Sequence, residues 1–211
     1  MKKIILESDV LKLIKNGNKI LFVDKETIIT PLALDKIKEK KIEIRILNET
    51  QKTKDSLPEH FEIKKIVLGS DHTGYKIKNV IKDYLISKGY EIEDVGCFDE
   101  NSCDYPDFAL AAALKVKKKN ADVAIFFDAT GIPSAMTANK ISQIRAAVCY
   151  NEFSARSCRS HNNSNFLSLG AKTFGEETIK SIIEVFLSTK FDGGRHQRRL
   201  DKIKDIEERK L

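Results

Sequence analysis

The sequence predicts an α/β protein with a doubly wound, five-stranded parallel sheet of the Rossmann-like type, preceded by a small α+β module. After residue 63, apolar runs of strand length alternate with amphipathic segments of helix length, which is typical of a parallel sheet covered by helices on both faces. Before residue 50 the elements are shorter, and a polar stretch with one proline, 47–62, follows them. These observations predict a module at 1–50, a linker at 51–63 and a main domain at 64–211.

The N-terminal module is predicted from short patterns. Thr30 is expected to cap a helix, and Pro31 to occupy the first turn of that helix, where the missing N–H of proline is harmless. A module of about fifty residues is small for independent stability. Its expected elements are an amphipathic segment at 7–16, apolar runs at 20–23 and 27–29, the helix that begins at Thr30-Pro31, and a strand at 42–46.

The main domain alternates regularly between strands and helices. Its first predicted helix places Ile77, Ile81 and Leu85 on one face and ends near Gly89. Ligands of such sheets bind beyond the carboxyl ends of the strands, so the residues that follow each strand are the first candidates for a site. Strands are expected at 66–69, 90–95, 122–127, 145–149 and 165–169, and the further helices near 106–119, 133–141, 151–160 and 175–188.

The composition excludes several classes of function. The 211 residues are 41% hydrophobic and 32% charged, as in a soluble globular protein. The net charge of +6 is spread along the chain without a nucleic-acid-reading motif, so we expect no nucleic-acid partner. No apolar run approaches the roughly 18 residues of a membrane span or the length of a signal peptide. The four cysteines lack metal-ligand spacing, which indicates reduced thiols in a cytoplasmic protein.

Four short motifs carry the candidate chemistry. GSDHTGYK (69–76) follows the first predicted strand of the main domain, and Asp128 with Thr130 and Gly131 follows the third. SHNNSN (160–165) precedes the last strand, and GGRHQRR (193–199) lies near the end of the chain. Each motif alone is weak evidence, but the four together indicate one site. The polar residues that they supply are Asp71, His72, Asp128, Thr130, His161, Asn162, Arg195 and Arg199.

Residues 65–211 resemble the ribose-5-phosphate isomerase B and galactose-6-phosphate isomerase family. The resemblance rests on GSDHTG, DYPDFA, TGI followed by ANK, QIRAAVC, SHNNSN and GGRHQRR, in the family's order and at its spacing. It implies a sugar phosphate as substrate and a homodimer or homotetramer with sites built across the subunit interface. It implies neither a metal ion nor an organic cofactor.

The family's residue roles carry over position by position. Asp128 stands where the family has its proton-abstracting cysteine, and His161 matches the acid that opens the sugar ring. With Thr130 these are the implied catalytic residues, and His196 is interpreted as a residue that orients the neighbouring arginines. The implied substrate contacts are Asp71, His72, Tyr105, Ala129, Gly131, Ile132, Pro133, Asn162, Arg195 and Arg199.

The residue types suit aldose–ketose isomerisation. This reaction needs a base to move a proton between C1 and C2 and donors for the enediolate oxygen. A cyclic sugar must first open, which favours a histidine that exchanges protons near neutral pH. The guanidinium forks of Arg195 and Arg199, one helical turn apart, match a phosphate.

The loop after the third strand departs from the family pattern. The family has Cys-Gly-Thr-Gly-x-Gly, whereas this chain has Asp128-Ala129-Thr130-Gly131-Ile132-Pro133. Ala129 adds a methyl group where the backbone is expected to need a positive φ, and Pro133 removes one N–H from the loop. An aspartate can accept a proton, but it can also simply cap the helix that follows. Cys103, beside the DYP motif, is the alternative source of a thiol.

Two functions therefore remain open. The first is interconversion of ribose 5-phosphate and ribulose 5-phosphate. The second is a non-catalytic or partner-dependent sugar-phosphate-binding protein, because the Asp-Ala pair resembles the A-type subunit of galactose-6-phosphate isomerase. That subunit works with a second, different subunit, whereas the Asp71-His72 pair of this chain favours a self-sufficient site.

The N-terminal module carries a second, shorter resemblance. The phrase TIITPLALDKIKEKKIEI, 27–44, resembles an element of proteins associated with bacterial microcompartments. This likeness implies a shell or cargo partner that binds residues 1–50 inside a microcompartment. A stabilising or oligomerising role is the alternative.

Overall fold

The structure divides into two compact units, Met1–Phe61 and Glu62–Leu211. It is a computed structural model and describes residues 4–15, 20–23, 27–46 and 62–209. The predicted linker, 51–63, lies outside the described residues except for its last two positions. Ile63 is buried in the core of the second unit, so that unit begins before residue 64, where the sequence placed its start.

The first unit consists of two successive β–α–β segments. Equivalent strands of the two segments pair in parallel, β1 with β3 and β2 with β4. The elements are β1 (Ile4–Ile5), α1 (Glu7–Lys15), β2 (Ile20–Val23), β3 (Ile28–Ile29), α2 (Pro31–Glu39) and β4 (Glu43–Ile46). The unit has its own core of Ile5, Val10, Leu21, Val23, Ala33, Ile37 and Ile42.

Thr30 does not cap α2 with its side chain, contrary to the expectation from sequence. Its Oγ1 and its backbone N–H both donate to the carbonyl oxygen of Ile5, at 3.2 and 3.1 Å. Thr30 therefore joins β1 to the start of α2 across the pair of parallel strands. A capping residue is recognised by its position before a helix, but the orientation of its hydroxyl also depends on partners elsewhere, here the carbonyl of Ile5 to which it donates.

The second unit is the predicted doubly wound sheet. Its five strands are all parallel and lie in the order β6-β5-β7-β9-β8. The elements are β5 (Lys65–Ser70), α3 (Tyr75–Ser87), β6 (Glu91–Asp94), α4 (Tyr105–Lys117), β7 (Val123–Asp128), α5 (Ile132–Ala138), β8 (Ala146–Val148), α6 (Glu152–Ser160), β9 (Phe166–Gly170), α7 (Glu176–Ser188) and α8 (Arg195–Glu207). The helix α8 was not among the predicted elements, although Arg195 and Arg199 were expected one helical turn apart.

Helices cover both faces of this sheet. Alternate residues of β7 point to opposite faces, so Ile125 and Phe127 join one core and Ala124 and Phe126 the other. The first core packs against α3, α6 and α7, and the second against α4 and α5. From β5 the chain moves outward to β6 on one side. After β7 it goes to the edge strand β8 on the other side and then returns to β9, which lies between β7 and β8. The direction changes between β5 and β7, where ligands of such sheets bind.

None of the described helices has both the length and the apolar character that crossing a lipid bilayer requires.

Gly74, which precedes α3, allows this helix to approach β7 closely. A Cβ at position 74 would lie 2.4 Å from the carbonyl oxygen of Phe127, which is backbone and cannot move aside. We expect Gly74→Ala to lower the free energy of unfolding by about 1–3 kcal/mol, as overpacking does. Chemical denaturation followed by circular dichroism measures this change.

Gly175→Ala is the matched control for that substitution. A Cβ at position 175 would meet nothing within 4 Å, and φ at this position is −75°, which alanine adopts readily. Its stability should change by no more than about 0.5 kcal/mol, because the entropic gain from replacing glycine is offset by the weaker capping of alanine at this N-cap position. Equal losses in both variants would mean that the close approach of Gly74 to Phe127 is unimportant.

Candidate active site

The strands β5 and β7 end side by side at the point where the winding of the sheet changes direction. The N–H of Asp71 donates to the carbonyl of Phe127 at 3.0 Å and so joins the two strand ends. The carboxylate of Asp71 accepts from the N–H and the hydroxyl of Thr73, at 2.8 and 2.6 Å, and from the N–H of Gly74 at 3.0 Å. These bonds turn the chain sharply into α3 and leave His72 half-buried at this edge.

Asp128 organises the loop that follows β7. Its Oδ1 accepts from the N–H groups of Thr130, at 2.8 Å, and Gly131, and its Oδ2 accepts from the N–H of Ser134 at 3.1 Å. The side chain is fully buried. Three amides converge on one carboxylate, which is the arrangement that the helix-capping interpretation predicts.

The loop backbone differs from the expectation in one respect. Ala129 is not among the residues with a positive φ, so its methyl group causes no strain of that kind. Gly131 is the residue that needs glycine, because its φ is +82° and a Cβ would lie 3.0 Å from the carbonyl oxygen of Ser168. The loop is also held from β9, since the N–H of Lys172 donates to the carbonyl of Ala129 at 3.1 Å.

Four amides of this loop already donate hydrogen bonds. Besides the three that bind Asp128, the N–H of Ile132 donates to Oγ1 of Thr130 at 3.3 Å, and Pro133 has none. An enediolate oxygen placed here obtains one of these four amides only by displacing the acceptor that the amide now has. The N–H of Ile132 forms the longest of the bonds and is the easiest to release.

His72 faces the segment that leads into α4. The N–H of Cys103 donates to Nδ1 of His72 at 3.4 Å, which leaves Nε2 as the protonated nitrogen of the neutral ring. Burial, together with a hydrogen bond to Cys97, raises the pKa of Cys103 to about 11. The thiol of Cys103 therefore stays protonated near neutral pH, which argues against it as a substitute base. Tyr105 begins α4 and is half-buried.

A buried lysine that the sequence reasoning missed fixes the same edge. Lys78 of α3 is fully buried, and its Nζ donates to Oδ1 of Asp94 at 2.7 Å and to the carbonyl of Cys97 at 2.6 Å. The Cys97 N–H in turn donates to the carbonyl of Ser70 at 2.7 Å. Lys78 therefore ties the loop after β6 to the end of β5. A lysine within an apolar helical pattern gives no sequence signal of such a role.

The remaining predicted residues lie at the opposite edge of the sheet. The helix α6 begins after the carboxyl end of β8 and runs back along the sheet. His161 directly follows α6, and β9 begins five residues later, so His161 lies near the amino end of β9. Asp128 pairs with Gly170 at the other end of β9, so about 13 Å of strand separates the two edges. We call Asp71, His72, Tyr105 and the loop 128–133 the carboxyl-edge group, and His161, Asn162, Arg195 and Arg199 the amino-edge group. One chain does not bring the two groups together.

The amino-edge group is built on a pair of stacked histidines. The rings of His161 and His196 lie 4.3 Å apart, and their planes differ by 7°. Nδ1 of His161 lies 3.3 Å from Oγ of Ser157, and Nε of Arg195 donates to Nε2 of His196 at 3.4 Å. Burial, and then the charges of His161, Arg195 and Arg199, lower the pKa of His196. The lowered pKa favours the neutral form of His196 near pH 7. The His196 ring contacts both His161, the candidate for opening the sugar ring, and Arg195.

One group of described residues could in principle ligate a metal ion. Ligand atoms of His161, Asp192 and His196 lie within 4.8 Å of one another. The guanidinium groups of Arg195 and Arg199 act on the same cluster and add positive charge. That charge opposes a cation and favours an anion such as a phosphate group.

The fold is that of the α/β isomerases that act on phosphorylated sugars. The family model described as Ribose/Galactose Isomerase matches residues 66–203, and the chain belongs to this family. The match includes every residue of the two groups and lies entirely within the second unit.

Known relatives resemble the second unit over nearly their whole length. Ribose-5-phosphate isomerase B of Escherichia coli is 38% identical over 70% of this chain and 99% of its own. Galactose-6-phosphate isomerase subunit LacA 1 of Streptococcus agalactiae is 39% identical over 64% of this chain and 94% of its own. The solved structure of ribose-5-phosphate isomerase B from Clostridium thermocellum is 43% identical, with a TM-score of 0.68, over 70% of this chain and 99% of its own.

The pKa of His196 tests the arrangement of the amino-edge group. We expect an NMR pH titration of the ring to give a value below the ordinary histidine value of about 6.5. Arg199→Gln removes a nearby positive charge, which favours the imidazolium and so raises the pKa of His196. Arg198→Gln is the control, because Arg198 is not among the charges that act on His196, and it should leave the titration unchanged. Equal effects of the two variants would contradict the arrangement.

Proposed function

We propose that the chain interconverts ribose 5-phosphate and ribulose 5-phosphate in a site that two copies of the chain build together. The observation that carries this proposal is the separation of the carboxyl-edge and amino-edge groups on opposite edges of one sheet. All of these residues lie at positions of the family's motifs, although the loop 128–133 departs from the family's residues, and a single chain leaves each group incomplete. A homodimer or homotetramer would complete the site, because a two-fold interface can place the carboxyl edge of one copy against the amino edge of the other.

The roles follow from the chemistry of each group. Arg195 and Arg199 are both exposed and hold the phosphate, and His161 beside them exchanges the proton that opens the ring. On the other copy, Asp71 and His72 contact the hydroxyl groups of the open chain. The substrate thus lies with its phosphate at the amino edge of one copy and its C1 and C2 at the carboxyl edge of the other.

Asp128 is the proposed base that moves the proton between C1 and C2. Oδ1 accepts two N–H groups, but Oδ2 accepts only one and keeps a lone pair. Since the side chain is fully buried, the substrate reaches Oδ2 only when the loop 129–133 opens. The hydroxyl of Thr130, which is exposed on this loop, is the proposed donor for the developing oxyanion.

The burial of Asp128 also supports a second candidate function, binding without turnover. If the loop stays closed, the carboxylate remains a structural acceptor and no base reaches the substrate. The chain would then bind a sugar phosphate alone or act with a different partner subunit.

Exchange of the C2 proton with solvent separates the two candidates. For the isomerase we expect ribose 5-phosphate to exchange this proton with deuterated water in the presence of the full chain alone. Asp128→Asn should slow the exchange by about 100-fold or more while sugar-phosphate affinity changes little, because a general base contributes about 10²–10⁴-fold. NMR measures the exchange, and calorimetry measures the affinity.

Asp122→Asn is the matched control for Asp128→Asn. Its carboxylate also accepts two backbone N–H groups, those of Lys64 and Lys65 at 2.8 and 2.9 Å, but at the start of β7. It should leave exchange unaffected. Binding without any exchange by the unaltered chain would favour the second function, and full exchange by Asp128→Asn would exclude Asp128 as the base.

Complementation between copies tests the shared site. Asp128→Asn and His161→Ala should each be inactive, but a mixed dimer contains one site in which both residues are intact. A random mixture of the two variants should therefore regain about a quarter of the unaltered activity. Recovery is measured after joint unfolding and refolding, with each variant refolded alone as the control. No recovery in mixed dimers of confirmed composition would place both residues in one copy's site.

For the first unit we propose a role in directing the cytoplasmic chain to a microcompartment shell. Its separate core and its exposed apolar side chains, Leu32 at 67% and Ile4 at 54%, support a surface for a protein partner. A fluorescent fusion of the full chain should concentrate at shells in a shell-forming host, whereas a fusion of residues 62–211 should not. Leu32→Asp should weaken recruitment. Uniform fluorescence of the full-length fusion would favour the stabilising role instead.

A further inference from the structure

Two buried thiols lie in contact between β8 and α6. Cys149 directly follows β8, Cys158 lies in the last turn of α6, and their sulfur atoms are 3.7 Å apart. Both cysteines are free, with exposed fractions of 1% and 8%. They lie nine positions apart in the sequence, a spacing that does not indicate a contact between the two thiols. The site proposed above uses neither thiol.

The two thiols differ in their readiness to ionise. The hydrogen bond from Cys149, with smaller effects of Ser164 and the Arg159 charge, lowers the pKa of Cys158. The same hydrogen bond, together with burial, raises the pKa of Cys149. This asymmetry resembles that of a reacting thiol and a resolving thiol, because the thiolate is the nucleophile and a second thiol must lie within reach.

We propose that Cys149 and Cys158 form an oxidative modification site, at which a hydroperoxide joins them in a disulfide that displaces the neighbouring His161. The sulfur of Cys158 attacks one peroxide oxygen, so an S–O bond forms, the O–O bond breaks, and the leaving oxygen takes the thiol proton as an alcohol or as water. Cys149 then attacks the sulfur of the sulfenic acid, the S–S bond forms, and hydroxide leaves with the second thiol proton as water. The two thiols lose two electrons and the hydroperoxide gains them.

The geometry explains why formation of the disulfide would shift His161, a member of the amino-edge group. A disulfide has an S–S distance of about 2.05 Å, so the sulfur atoms must approach by about 1.7 Å from their present separation. Cys158 also gives up its hydrogen bond to the carbonyl of Ala155, now 3.2 Å long. His161 lies three residues further on, and Ser157, which contacts it, is adjacent to Cys158. The last turn of α6 therefore cannot move without moving His161.

The modification itself is tested on the full chain with hydrogen peroxide. We expect the number of titratable thiols in the unfolded chain to fall from four to two. After tryptic cleavage at Arg156, the two peptides that contain Cys149 and Cys158 should be joined and two hydrogens lighter than their sum. Cys158→Ser should abolish this cross-link, and Cys103→Ser, which alters a thiol outside the pair, should preserve it. A disulfide between other cysteines, or oxidation of Cys158 to a sulfinic acid without a cross-link, would overturn the proposal.

The displacement of His161 has its own readout, which distinguishes failure of this inference from failure of the proposed function. The NMR signals of the stacked His161 and His196 rings should shift on oxidation and return after reduction, whether or not the chain turns over ribose 5-phosphate. If the chain is an isomerase, oxidation should also lower turnover by about tenfold or more, since a displacement of about 1 Å can cost up to about 100-fold. A cross-linked chain with unchanged ring signals and unchanged turnover would refute the displacement.

Discussion

The carboxylate of Asp128 is the acceptor on which the carboxyl edge of the sheet depends. It takes three amides of the loop that follows β7 and so fixes the start of α5. A group of converging amides would otherwise be a site for an anion. Here the carboxylate of Asp128 already occupies that position and accepts these amides. The loop is therefore a poor site for a second anion. In the proposed site, the recognition of the phosphate group therefore belongs to Arg195 and Arg199 at the opposite edge.

Much of this fold follows from periodicity in the sequence. Each predicted strand and helix of the second unit is present, with ends that differ by a few residues at most, because long apolar strands and amphipathic helices leave little choice of structure. α8 was anticipated only as the helical turn that spaces Arg195 and Arg199. Its full length was not predicted, because its thirteen residues are mostly charged and carry few apolar side chains for packing. β1 has only two residues, too few for a pattern of alternation to be visible.

The environment of individual side chains was less predictable. The position of Asp128 after a strand indicated a site residue, but its three hydrogen bonds depend on the path of the loop backbone, which no pattern encodes. The same holds for the φ of Ala129 and for the thiol contact between Cys149 and Cys158. The division of the site between two edges could have been read from the sequence, because a helix that connects parallel strands must return to the amino edge before the next strand begins.

The two edges also differ in how firmly they are held. At the carboxyl edge, Asp71 is 7% exposed and Asp128 and Lys78 are fully buried, so each carries its hydrogen bonds before any ligand arrives. At the amino edge, the side chains of His161, Asn162, Arg195 and Arg199 are exposed, and long exposed side chains lose rotamer freedom when they are ordered. A second copy that covers the amino edge would order these side chains on assembly rather than on substrate binding. In the proposed dimer, Arg195, Arg199 and His161 would therefore gain most order from association, and the carboxyl-edge group would supply the rigid half of each site.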